Sequence, residues 1–193
     1  MRLVLASASP RRKALLESAG LQFEVAAPEI SEDAPAGMSP ADLARDLAAR
    51  KARAASARAA ACGAAVVLGA DTVVALDDGR ILGKPRDRAE AESHLRALSG
   101  TTHSVVTGVC LLGVPGGPET VFHAETRVTM RTLAEAEIRA YAASGEGLDK
   151  AGGYAIQEGG DRFVTGIEGS RTNVVGLPVE ELLPRLAAMG VRP

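Results

Sequence analysis

Apolar and polar positions divide the chain into short strands and amphipathic helices. Leu3-Val4-Leu5-Ala6 reads as a first strand, and a helix follows through Leu15 and Leu16 to a stop at Gly20. Ser9 is placed to cap that helix and Pro10 to take its first position. Leu21 to Ala26 predicts a second strand. After an acidic loop from Pro28 to Pro35, Ser39-Pro40-Ala41-Asp42 opens a long alanine-rich helix, capped in the capping-box manner and ended by Gly63. Val66-Val67-Leu68 predicts a buried strand whose apolar pattern meets Gly69-Ala70-Asp71-Thr72 and resumes at Val73-Val74-Ala75-Leu76. Asp78-Gly79 signals a two-residue hairpin turn, and Ile81-Leu82-Gly83 leads back. Asp87 can cap a helix through Leu95 and Leu98, stopped at Gly100. His103 to Val114 and Thr120 to Met130 read as two long strands around the turn Pro115-Gly116-Gly117-Pro118. Paired antiparallel, they make the sheet mixed rather than purely parallel. Thr132 is expected to cap a further helix ending near Ser144-Gly145. The segment Ile167 to Pro178 leads into a last helix, with a kink or restart expected at Pro184.

Length and composition narrow the function classes. The 193 residues suffice for one generous domain or two small lobes, and no fixed-period repeat is present. A net charge of -2 argues against a nucleic-acid polymer or an acidic membrane as the main partner. With no Trp, two Tyr and three Phe, a stacking platform for single strands is not expected either. Cys62 and Cys110 lack metal-type spacing and read as reduced thiols of a cytosolic protein. The opening MRLVLASASPRR has its basic pair after a very short apolar run, so it is not read as a signal peptide. No apolar stretch approaches the ~20 residues of a membrane span.

Several residues then stand out chemically. Asp71 lies inside an apolar strand, where a carboxylate is costly unless paired, hydrogen-bonded or bound to a metal. The hairpin return is expected to bring Lys84, just ahead of Pro85, to the same end as Asp71. That pairing suits phosphate-plus-metal chemistry, or else it is a structural salt bridge. Arg11 and Arg12 occupy the first turn of a helix, the positive end of its dipole, where acids are the stabilising choice. With Ser7 and Ser9 beside them they form either an anion site of the kind phosphate requires or two solvated surface arginines. Lys51 lies toward the Leu43–Leu47 stripe and either snorkels outward or reaches a phosphate. Glu29 and Glu32 of the acidic loop are either solvated or oxygen ligands for a hard cation. The glycine-rich segment from Gly145 to Gln157 lets backbone approach a ligand closely while presenting Asp149, Lys150 and Gln157.

Taken together, SASPRR, LGADTVV, GKPRD, THSVVTG, LDKAGGYAIQ and NVVGLP resemble the Maf family of nucleoside triphosphate pyrophosphatases, from about Leu3 to the final helix. The resemblance implies an α/β fold, similar to that of Maf and inosine triphosphatase proteins: an elongated mixed β-sheet flanked by helices, with a cleft between two lobes of a single 1–193 domain. It implies cytoplasmic enzymes, homodimers by family habit, that cleave a small-molecule nucleotide to the monophosphate and pyrophosphate with a divalent metal, Mg or Mn. Asp71 matches the family's proton acceptor. Ser7, Arg11, Arg12, Lys51 and Lys84 match its triphosphate-binding positions, and Glu32, with Asp71, its metal-associated acids. Arg12, Thr72 and Gln157 match positions that separate substrate branches, and the wording is similar to the branch acting on dTTP and UTP. Two departures stand out. Gly147 takes a place usually held by proline, which should loosen that loop, and Arg171 one usually aromatic or uncharged.

The implied chemistry agrees with this inventory. Cations would neutralise charge on the departing pyrophosphate, and Asp71 would orient and deprotonate a water at the α-phosphorus. Gln157 both donates and accepts, which suits the O4/N3 edge of thymine or uracil. Two other functions compete: the same hydrolysis on modified or non-canonical nucleotides, and a nucleotide-sensing regulator of septum formation.

Overall fold

The apolar run from Ala65 to Ala75 becomes the central strand β3, and it is nearly all buried because helices cover both of its faces. In the computed structural model, which describes residues 1–32, 37–157 and 159–193, seven strands form one mixed sheet. These are β1 (Arg2–Leu5), β2 (Glu24–Val25), β3, β4 (Ile81–Leu82), β5 (Thr102–Val114), β6 (Glu119–Met130) and β7 (Val164–Glu168). They run in the order β2-β1-β3-β5-β6-β7, with β4 paired to the far part of β3. β1 is parallel to β2 and β3, and the other pairings are antiparallel. The architecture is α/β with a mixed sheet, as the two long strands require.

Period-two alternation sorts the residues of β3 between two layers. Val67 and Val73 face α2 (Pro40–Ala61), which covers one side of the sheet. On the other side, Val66, Leu68 and Ala70 pack with Leu16 of α1 (Pro10–Ser18) and with Leu182 and Leu186 of α6 (Val179–Ala188). Val74 on that side belongs instead to a second core, built on Leu95 and Leu98 of α3 (Arg88–Leu98) and Ile138 and Tyr141 of α4 (Glu135–Ser144). Polar groups collect between these two cores: Thr72, Thr107, Arg12 and Asn173, the last from α5 (Arg171–Val175).

The alanine content of α2 has a geometric purpose. A Cβ built on Gly69 would stand 2.2 Å from the Ala48 carbonyl oxygen, and one on Gly108 would stand 2.1 Å from that of Ala44. The helix backbone therefore lies flush on β3 and β5, which brings the polar end of Lys51 to the strand carrying Asp71. Any larger side chain at those two glycines would push the helix, and Lys51 with it, off the sheet.

The sheet also has a gap. β1 pairs with β3 only through Leu68, and β4 pairs with it only from Val74. Between them Gly69 to Val73 has β5 on one side and, among the described residues, no strand on the other. Asp71 and Thr72 sit at this open edge and point to opposite faces.

Four local expectations need correcting. The second strand shrinks from Leu21–Ala26 to Glu24–Val25 at the sheet edge, since only Val4 and Leu5 face it. The hairpin loop has three residues, not two: Leu76 N–H donates to the Arg80 carbonyl around Asp77-Asp78-Gly79, with Gly79 at φ +87°. α4 begins after Ala134 rather than Thr132, because Leu133 N–H is held by Ser99 Oγ and Ala134 N–H by the Glu137 carboxylate. The final break falls at Gly176-Leu177-Pro178, where Gly176 takes φ +133°. α6 then runs through Pro184, exposed on its outer side.

Candidate active site

The start of α1 follows directly from its sequence. Ser9 Oγ accepts the Arg12 N–H, Pro10 occupies the first turn, and Ser9 N–H donates to Ser7 Oγ at 3.3 Å. This turn fixes both arginines. Arg12 folds inward and is buried: Nε donates to the Gly176 carbonyl at 2.9 Å, Nη1 to Ser7 Oγ at 3.1 Å and Nη2 to Thr72 Oγ1 at 3.0 Å. Burial lowers its pKa from the ordinary arginine value, and the nearby Asp71 charge partly offsets this. Arg11 is half-buried and crosses to the glycine-rich loop, where Nη1 donates to Asp149 Oδ2 at 3.0 Å.

On the α2 side Lys51 Nζ donates to Asp71 Oδ1 at 2.5 Å and to Glu32 Oε1 at 2.8 Å. The Lys51 and Asp71 side chains are only 13% and 12% exposed, so this pair is little screened by water. The expected partner of Asp71 was Lys84; the ammonium that reaches it comes from α2 instead. Lys84 borders the same cavity but is exposed, and among the described residues it forms no ion pair. Burial alone would raise the Glu32 pKa, but the hydrogen bond and charge of Lys51, with Lys84 and Arg12 further off, bring it below the usual value. Glu29 is exposed and does not border the cavity; Asp33, Ala34 and Pro35 of the acidic loop lie outside the described residues.

Apart from Glu29, these charged groups edge one cavity of about 400 Å³ at the gap in the sheet. Ser7, Arg11, Arg12, Glu32, Lys51, Asp71, Thr72, Lys84 and Gln157 border it together. One part is highly charged. The other is walled by Val74, Val105, Tyr154, Ile156 and Val174. Gln157 sits at the rim, exposed, on a loop that Arg171 ties down by donating from Nη2 to the Ile156 carbonyl at 3.0 Å and to Asp161 at 2.9 Å. At Gly147 a Cβ would lie 2.0 Å from the Gly153 carbonyl oxygen, so the two glycines pack directly together and a larger residue would displace the loop.

Asp149 and Lys150 stand where the glycine-rich segment was expected to present them, whereas Gly176, Thr107 and Asn173 escape a residue-by-residue reading of the sequence. Asp149 and Lys150 belong to the charged wall, with Lys150 buried and donating to Asp149 Oδ1 at 2.8 Å and to the Glu146 carbonyl. Gly176 presents its carbonyl to Arg12, and Thr107 and Asn173 lie buried behind Thr72. The signal for Thr107 was a hydroxyl inside an otherwise apolar strand.

His103 backs the apolar wall. Its Nε2 is 2.7 Å from the Tyr154 hydroxyl and the residue is fully buried. Burial first, and then the Arg127 charge, lower its pKa to about 4, with Asp77 opposing. The folded state therefore keeps His103 neutral over a range where the unfolded chain binds a proton. Stability should fall as pH drops from about 6.5 toward about 4. In thermal unfolding against pH, His103→Gln should show a shallower loss over that window than wild type. Parallel curves would refute the assignment.

Two hard oxygen donors, Asp71 and Glu32, converge on one positive atom, Lys51 Nζ. Among the described residues no group of three or more His, Cys, Asp or Glu side chains converges. Such a pair fits Mg²⁺ or Mn²⁺, which take one or two carboxylates and complete their shell with water and substrate phosphates.

A family model described as Maf-like protein matches residues 2–189. The dTTP/UTP pyrophosphatase of Pelotomaculum thermopropionicum is 47% identical over 188 residues, covering 97% of this chain and 96% of that protein. That of Moorella thermoacetica is 50% identical over 190 residues, with 98% and 96% covered. A solved nucleoside-triphosphatase, the dITP/XTP pyrophosphatase of Mycobacterium abscessus, aligns over 98% of this chain and 94% of its own. Its TM-score of 0.46 and identity of 21% are too low to bear on substrate or mechanism.

Proposed function

The chain belongs to the Maf-like protein family, and on that premise we propose that it hydrolyses dTTP and UTP to the nucleoside monophosphate and pyrophosphate. The observation that carries this reading is the meeting, at one cavity, of the shielded Asp71 carboxylate with Arg11, Arg12, Lys51 and Lys84 from three separate segments. A polyphosphate is the small ligand that needs that much positive charge in so small a space.

In this mechanism the phosphate tail lies along the Ser7–Arg12 turn, held by main-chain and side-chain donors at a helix start. Asp71 orients and deprotonates a water for attack at the α-phosphorus, in line with the departing pyrophosphate. Arg11, Arg12, Lys51 and Lys84 neutralise the charge that grows on the leaving group. Lys51 also holds the Asp71 carboxylate in place. Asp71 and Glu32 would hold a divalent cation, which supplies charge neutralisation and water activation. The apolar wall leaves room for a nucleoside, and Gln157 at the rim can pair with the O4/N3 edge of its base.

The test is a panel of UTP, dTTP, CTP and a purine triphosphate, scored by kcat/KM for pyrophosphate release. UTP and dTTP should lead the series, and a chelator should remove turnover until Mg²⁺ or Mn²⁺ is restored. Release of orthophosphate in place of pyrophosphate, or equal rates on all four, would defeat the reading. Running the panel on Gln157→Glu checks the base contact, which fails if the preference for dTTP over CTP is unchanged.

A further inference from the structure

Thr107 takes no part in the mechanism above, yet it is fully buried and faces Thr72 directly across β3 and β5. Its Oγ1 lies 3.1 Å from the Asn173 carbonyl oxygen and 2.9 Å from Thr72 Oγ1. A carbonyl cannot donate, so the proton in the first contact must be that of Thr107. The second contact must then carry the proton of Thr72. Thr72 Oγ1 in turn accepts from Arg12 Nη2 at 3.0 Å. The chain of bonds therefore has one direction: Arg12 to Thr72, Thr72 to Thr107, Thr107 to the main chain of Asn173.

Thr72 borders the cavity with its only proton already committed. Toward a ligand it can act only as an acceptor. Phosphate oxygens and base carbonyls, all acceptors, are excluded as its partners. Arg12 supplies the opposite polarity beside it: three of its five N–H groups bond Gly176, Ser7 and Thr72, leaving one on Nη1, beside Ser7, for the phosphate tail and one on Nη2, beside Thr72, for the base. A donor next to an acceptor matches a carbonyl next to an imide N–H, the arrangement of uracil and thymine; with Thr72 taking the imide proton, Gln157 is left the O4 carbonyl. At the imide position cytosine has a bare ring nitrogen, which would set acceptor against acceptor.

We infer that Thr107 is a positioning residue for base choice, fixing Thr72 as an acceptor so that the Arg12–Thr72 corner selects a pyrimidine bearing an imide N–H. The inference rests on the pyrophosphatase reading and adds to it the atom that is recognised.

The experiment measures kcat/KM for UTP, CTP and 3-methyl-UTP, which lacks the imide proton, on wild type, Thr107→Val and Thr107→Ser. Wild type should prefer UTP over 3-methyl-UTP by about tenfold or more, the size of one hydrogen bond to a group left unpaired. In Thr107→Val the Thr72 proton is freed to meet the cytosine nitrogen, so the UTP-to-CTP ratio should fall by about tenfold. Thr107→Ser keeps the hydroxyl and should stay within about twofold of wild type. Equal turnover of UTP and 3-methyl-UTP overturns the inference, and it does so even if Thr107→Val fails to fold. So does an unchanged UTP-to-CTP ratio in a folded Thr107→Val. UTP turnover with either of those results removes only this inference, whereas no pyrophosphate from UTP with wild type brings down the function proposed above as well.

Discussion

Asp71→Asn is expected to leave the protein folded and able to bind nucleotide while pyrophosphate release falls by two or more orders of magnitude. The substitution is nearly isosteric, and the amide oxygen can still accept the Lys51 bond that Asp71 Oδ1 now accepts. What disappears is the basic oxygen that would take a proton from water. Lys51 keeps Glu32 as its second partner, so the cluster does not lose its only anion. Two measurements are needed: the rate of pyrophosphate release from UTP, and equilibrium binding of a non-hydrolysable α,β-imido analogue. A lost rate with retained binding supports a general base. Equal rates in both proteins would end that role. Loss of binding together with rate would make Asp71 chiefly a support for Lys51.

The parts of this molecule that its sequence makes legible are those set by neighbours in the chain. Ser9, Ser39 and Asp87 each accept the N–H three residues on, as capping geometry demands, and α1, α2 and α3 begin where those residues lie. The polar interruption of an apolar strand at Asp71 is likewise a local fact, and it marks the open edge of the sheet. Thr132 misleads because its surroundings are not local: Ser99, at the end of α3, takes up the next N–H and postpones the helix.

Partners set by tertiary contacts are harder to read. Lys84 looks like the mate of Asp71 because the hairpin brings it back along the chain. Lys51 wins because Gly69 and Gly108 let a whole helix settle onto the strands, a consequence of two missing side chains. Arg11 meets Asp149 across 138 positions of sequence, and no spacing rule reaches that far. Thr107 and Asn173 are quieter still. In the sequence they are a hydroxyl in a strand and an amide before two valines, and only the fold shows Thr107 Oγ1 donating to the Asn173 carbonyl and Asn173 Nδ2 to that of Val105.

Arg12→Lys keeps a positive charge at the same position, yet kcat/KM is expected to drop by about 10²- to 10³-fold, the range seen when a donor to developing charge is lost. The guanidinium serves three acceptors on three different segments: Ser7 after β1, Thr72 on β3 and the Gly176 carbonyl after α5. An ammonium is a point charge and cannot reproduce that planar fork. At least one buried acceptor would be left without a donor, at a cost of about 1–3 kcal/mol, read as a Tm lower by several degrees. Burial adds a second penalty. It already lowers the Arg12 pKa, which arginine tolerates because its ordinary value is so high. Lysine starts near 10.4, and the same desolvation would act on it from there. The variant should therefore lose activity on the alkaline side at lower pH than wild type. Arg11→Lys is the control. Arg11 is half-buried and its side-chain partner is the exposed Asp149 carboxylate, so a loss of less than about tenfold is expected there, in keeping with a partly screened pair. If the two variants lose activity equally, with matching pH profiles, the inward fork of Arg12 is not what the reaction depends on.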